Sequence, residues 1–167
     1  MEEADMTLTT ELQSLYNEKI ACFENLLSVL DKEADILKSG DVAPLWPLAE
    51  EKQKAAGAIM EVRERIKQVM VRAGRPLDVE AIHFQSRVLK DRLSHGEQAD
   101  LEPFFLKAED LGQQVRSAAD ANITYVSLCL DVVGEMMSVF MRPQKQAGYD
   151  RSSRMTGTGN GYVNRRV

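Results

Sequence analysis

The sequence predicts an all-α fold: an elongated, antiparallel, coiled-coil-like bundle of three long helices and one short helix, followed by a disordered C-terminal tail. Three observations carry that prediction. Apolar residues recur at alternating spacings of 3 and 4 along three long stretches, which is the seam of helices packed against helices. No segment alternates apolar and polar residues as a half-buried strand does. The final 26 of the 167 residues have no periodicity at all. A chain of this length supports one domain with a core and is short for two ordinary ones, so residues 1–141 read as a single helical domain and 142–167 as its flexible tail.

The first helix is expected from about Thr7 to Lys38, where Tyr16, Ile20, Phe23, Leu27, Leu30, Ala34 and Leu37 hold the heptad spacing. Gly40 stops it, and Asp41 is a candidate cap for a second helix that begins near Val42 or a few residues later, with regular helix only from around Pro47 if that proline, which lacks the donor an interior helical position uses, delays it. That helix runs to about Ala73 through Leu45, Leu48, Lys52, Ala55, Ile59, Val62, Ile66 and Val69. Gly74-Arg75-Pro76 breaks it. Asp78 is then a cap for a shorter helix from Val79 to about Leu93, closed by Ser94-His95-Gly96. Asp100 with Pro103 in the first turn opens the last helix, Leu101 to Met141, whose seam of Phe104, Ala108, Leu111, Val115, Ala118, Asn122, Tyr125, Cys129, Val132, Met136 and Val139 is the most regular in the chain. At ~1.5 Å per residue such a helix is roughly 60 Å long.

Charge and motif content exclude several classes of function. Residues 1–141 carry 25 acids and 15 bases, whereas residues 142–167 carry one acid and six bases. An acidic body repels phosphate backbones, so no nucleic-acid role is expected. Cys22 and Cys129 have no paired spacing that would suggest a disulfide or a zinc site, which fits a reducing cytosol. The N-terminal MEEADMTLTTE has acids where a cleaved signal needs bases, and no run of 18 apolar residues occurs, so neither export nor membrane insertion is expected. Glu80 and His83 have the Glu-x-x-His spacing of di-iron bundles, but a working site needs a second such motif and further inward acids, while the only other histidine is His95. The expected state is an exposed Glu80 and a half-buried His83, with no metal. Gly157-Thr158-Gly159-Asn160-Gly161 lacks the preceding strand of a phosphate cradle. Neither catalysis nor a cofactor is expected.

What remains is binding. Asn122 is the one polar residue on the last seam, and a buried amide there fixes register. Leu128, Val132, Met136, Met137, Val139 and Phe140 make the end of the last helix soft and apolar, and with the first helix they are the expected groove for an amphipathic partner segment. In the tail, Tyr149 and Tyr162 are isolated aromatics in a polar, flexible setting, the form of a short docking segment.

The order and spacing LLSVLDKEADILKSGDVAPLWPLAEEK, the Ala121-Asn122 pair ahead of a long apolar stretch and the tail segment Tyr149-Asp150-Arg151-Ser152-Ser153 together resemble FlgN, the flagellar export chaperone family. The resemblance implies a cytoplasmic chaperone whose clients are the hook-filament junction proteins FlgK and FlgL. It also implies docking on the cytosolic domain of the export-gate protein FlhA through the tail tyrosine, by position Tyr149, with Asp150 beside it. The additional Gly161-Tyr162-Val163 departs from the family's pattern and leaves Tyr162 open as a second docking residue. Two other classes share parts of the pattern. A cytosolic structural or adaptor coiled coil uses the same heptads for self-association as a homodimer, and a helical-bundle metal enzyme needs more inward ligands than this chain has.

Overall fold

A computed structural model of the chain describes residues 2–141, with side chains from residue 8 onward. Four helices follow one another: α1 Glu2–Ser39, α2 Leu45–Arg72, α3 Ser86–Lys90 and α4 His95–Phe140, with a 3₁₀ turn at Ala81–His83 before α3. No strand occurs among the described residues. The fold is the all-α bundle expected. The tail, with Tyr149, Asp150 and Tyr162, lies outside the described residues. The chain divides into two compact units, Met1–Leu128 and Cys129–Val167.

In the first unit α1 and α2 form an antiparallel hairpin. Glu11 pairs with Arg72, Glu18 with Arg65 and Glu33 with Lys52, so position rises along α1 as it falls along α2. The first part of α4 returns beside them, parallel to α1: Phe105 meets Tyr16 edge-on, with ring centroids 4.9 Å apart, and Asn122 reaches the carbonyl of Leu30. The 3-4 seams put Leu12, Tyr16, Val62, Ile66, Met70, Leu101 and Phe105 in the dry centre. The edge-to-face aromatic pair contributes ~1 kcal/mol beyond its buried area.

The connections show where local chemistry overrode periodicity. Gly40 takes φ 75°, the left-handed conformation that lets α1 end and the chain reverse. Ser39 Oγ accepts from the Asp41 amide at 3.3 Å, and Asp41 Oδ1 accepts from the Ala43 amide at 3.2 Å. Asp41 therefore holds the turn and does not cap α2, which starts at Leu45, a few residues after Val42 and before Pro47. Pro47 fits as its third residue because the first N–H groups of a helix have no partner within it. At the other end of α2, the Gly74 amide bonds the Val71 carbonyl and the Arg75 amide bonds the Met70 carbonyl, a Schellman closure around Gly74 at φ 72°.

The expected helix Val79–Leu93 is instead broken. Arg63 Nη1 donates to the carbonyls of Ala81 at 3.3 Å and Ile82 at 3.4 Å, which a continuous helix would need for residues 85 and 86. Phe84 and Gln85 stay extended, and only Ser86–Lys90 is α-helical. The last long helix also begins earlier than Leu101. Ser94-His95-Gly96-Glu97, expected to close the short helix, opens α4 as a capping box: Ser94 Oγ accepts from the Glu97 amide at 3.4 Å, and Glu97 Oε2 accepts from the Ser94 amide at 2.6 Å. Asp100 is thus inside the helix, not at its cap. Pro103 lies in the third turn, where its missing N–H deprives the Ala99 carbonyl of its usual partner.

Candidate functional site

The seam of α4 changes character at Asn122. Before it, Ala108 and Leu111 are buried and Phe104, Val115 and Ala118 half-buried; after it, Tyr125, Cys129, Val132, Met136 and Val139 keep the same spacing but are exposed. Asn122 itself is buried, as its place on the seam implied. Its Nδ2 donates to the Leu30 carbonyl and to Glu33 Oε2, both at 2.9 Å, and Lys52 Nζ donates to the other oxygen of Glu33. This chain of bonds ties all three long helices at one level, and a slip of α4 by one turn would break both bonds that Asn122 makes to α1.

All six residues expected to receive a partner, Leu128, Val132, Met136, Met137, Val139 and Phe140, are exposed, with Phe140 at 84%. Together with Leu130 and Val133 they span about 200° of the helix circumference, somewhat over half. The remaining strip carries Ser127, Asp131, Glu135 and Ser138. Ser127 Oγ donates back to the Ile123 carbonyl at 3.0 Å and Ser138 Oγ to the Glu135 carbonyl at 2.7 Å, so the carboxylates alone give this strip its strong polarity. A wide apolar face with an acidic strip is the profile of a helix lacking its packing partners.

By length and composition α4 is the one helix among the described residues apolar enough to cross a membrane, with a mean hydropathy of 1.5 over 18 residues. Asp131 and Glu135, in the middle of the exposed stretch, oppose insertion, since each carboxylate at a bilayer centre costs ~3 kcal/mol.

Next to Asn122 the first unit has an apolar groove of about 810 Å³. Leu37 of α1, Val42 of the turn, Trp46 of α2 and Ile123 and Val126 of α4 form its walls, and the Asn122–Glu33–Lys52 bonds lie at its floor. Trp46 is 82% exposed at its rim. The sequence reading did not single out this groove. Its signal was an off-seam tryptophan, the only one in the chain, set between two prolines.

No group of three or more His, Cys, Asp or Glu side chains able to hold a metal ion occurs among the described residues. Glu80 is exposed, and so is His83, which the sequence placed half in the core; it ends the 3₁₀ turn, none of whose residues is buried. Cys22 is half-buried and Cys129 exposed, both as free thiols.

A family described as FlgN protein matches residues 1–157, nearly the whole chain. The chain belongs to the FlgN family. Neither curated proteins nor solved structures give a match. FlgN proteins are flagellar export chaperones, in general soluble and cytoplasmic, and the family is not known for enzymatic activity.

Proposed function

We propose that this FlgN protein holds the amphipathic terminal segments of FlgK and FlgL, keeps them from assembling early and hands them to the export gate. The observation that supports this reading is the heptad seam that is exposed beyond Asn122 while keeping core spacing. A client segment folding as a helix against Leu128, Val132, Met136, Met137, Val139 and Phe140 would bury the face that α1 and α2 bury earlier on α4. Methionines at 136 and 137 let the face adapt to two client sequences, because their unbranched side chains repack at little cost. The action is binding alone, in the cytoplasm, without catalysis or cofactor. Residues 1–141 form the chaperone domain and 142–167 the address, in which Tyr149, with Asp150 at its rim, docks on the cytosolic domain of FlhA.

Replacing Met136 and Phe140 together by Asp tests the client site. Both are exposed, so the helical signal and melting of the free protein stay as they are, while calorimetric binding of FlgK and FlgL terminal segments is lost. Undiminished affinity rules the site out. The same exposed seam could zip against a second copy, the adaptor reading. A stable dimer in sedimentation at micromolar concentration that also fails to take up client favours that reading.

A further inference from the structure

A second cleft in the first unit is lined by a buried lysine. Lys19 is only 4% exposed, and it was not part of the α1 seam. Its ammonium nitrogen lies 4.8 Å from the ring centre of Tyr16, 4.9 Å from that of Phe84 and 6.0 Å from that of Phe23. These ring faces offset part of the cost of burying the charge. No hydrogen bond or ion pair holds it among the described residues, and its three N–H donors have no protein acceptor there. Its one other outlet is a cleft of about 660 Å³, which it lines with Arg63, Arg116, Glu109 and Asp120. Arg63 is the second unsatisfied cation: Nη1 is used on the carbonyls of Ala81 and Ile82, whereas its buried Nε has no partner.

We propose that this cleft binds a single carboxylate carried on an apolar body. An ammonium without an acceptor that opens on the cleft, beside a guanidinium whose buried Nε has no partner, favours an anion, because pairing recovers part of the desolvation already suffered by the cations. Three cations against two carboxylates leave one net positive charge, which suits a monoanion better than a phosphate dianion. Apolar surface lines the cleft beside the charges: the Phe23 ring, Ala108 and Gly112, whose missing side chain leaves the Phe23 ring open at 3.6 Å from where a Cβ would stand. A body of a few carbons fits against it. The carboxylate could come from a free small acid or from a glutamate on a partner chain. The site is separate from the client face, and its test does not depend on FlgK, FlgL or FlhA.

The experiment is an NMR titration of the full chain, following the Lys19 ε-methylene and the Gly112 amide. Two probes are used, 3-phenylpropionate for the free acid and acetyl-Leu-Glu-Leu-amide for the protein-borne one, each beside its neutral counterpart, 3-phenylpropionamide or the Gln peptide. The expected result is a saturable shift with at least one carboxylate, at least about tenfold weaker binding of its amide, and a similar loss in Lys19→Met. Saturation by the peptide alone assigns the source to a partner chain, and saturation by 3-phenylpropionate alone to a free acid. The proposal is overturned if neither carboxylate saturates, if the amides bind as well, or if Lys19→Met binds undiminished. Arg116→Gln, at an exposed position with no role in the core, decides the matter if Lys19→Met fails to fold: it should weaken the same probe, and unchanged affinity overturns the proposal.

Discussion

Replacing Glu97 by Gln tests whether the capping box of α4 is an electrostatic anchor. Glu97 is 4% exposed, and its carboxylate accepts from the Ser94 amide at 2.6 Å, from Ser94 Oγ at 2.8 Å and from Arg75 Nη1 at 2.7 and 2.9 Å. Burial pushes its pKa up, but the Ser94 bonds and the Arg75 guanidinium outweigh burial and hold it below the usual glutamate value. Charge-assisted hydrogen bonds are worth ~1.5–3 kcal/mol each, and desolvating the ions offsets several kcal/mol of their sum. Glutamine keeps the shape and one acceptor, so the net loss at neutral pH is about 2 kcal/mol, and at ~2–4 °C per kcal/mol for a chain of this size Tm falls by roughly 4–8 °C. Because the folded pKa is depressed, the stabilisation is complete above the unfolded glutamate pKa and disappears as pH falls through the folded one. Melting followed by circular dichroism should therefore separate wild type and Glu97→Gln at pH 7 and bring them together in acid. Equal Tm values at pH 7, or a gap that persists unchanged into acid, would refute the anchor.

Further consequences are as direct. Asn122→Ala leaves Glu33 with one donor fewer and should cost ~1–3 kcal/mol in urea unfolding; a loss under 0.5 kcal/mol, roughly that of a surface change, would mean that the bonds joining the three helices are idle. Burial, followed by repulsion from Arg63, lowers the Lys19 pKa from 10.5 to about 8, with Glu109 opposing. The unfolded chain therefore binds the proton more tightly, and stability relative to Lys19→Met should rise as pH climbs from about 8 towards 10.5, whereas a flat difference contradicts the burial. Trp46, the lone indole, should emit as a solvent-exposed residue in the free chain; an emission maximum already shifted to the blue would show the groove closed.

The long helices were legible in the sequence because 3-4 spacing is imposed by the packing itself, and Asn122 was legible because a polar residue on such a seam has few other states. Their ends were not. Ser94-His95-Gly96-Glu97 contains both a stop and a start, and the start prevails because Arg75, distant in sequence, completes the Glu97 site. The helix expected at Val79–Leu93 depended likewise on Ala81 and Ile82, whose carbonyls are taken by Arg63 from another element. Among site residues, the α4 face was readable as an apolar stripe, although periodicity alone gives no sign that packing ceases past Asn122. Lys19 was hidden for a simpler reason: a lysine beside a seam normally points to water, and here three rings from two elements enclose it.

On the function proposed above, a client helix completes the seam beyond Asn122. Calorimetric titration of FlgK and FlgL terminal segments into the full chain at several temperatures tests it most directly, since burying the exposed face must lower the heat capacity. Saturable binding of one segment per chain with a negative heat-capacity change is expected, lost in the Met136→Asp, Phe140→Asp double variant. Absence of saturable binding by a folded chain, or binding that survives in the double variant with the same heat-capacity change, would contradict it.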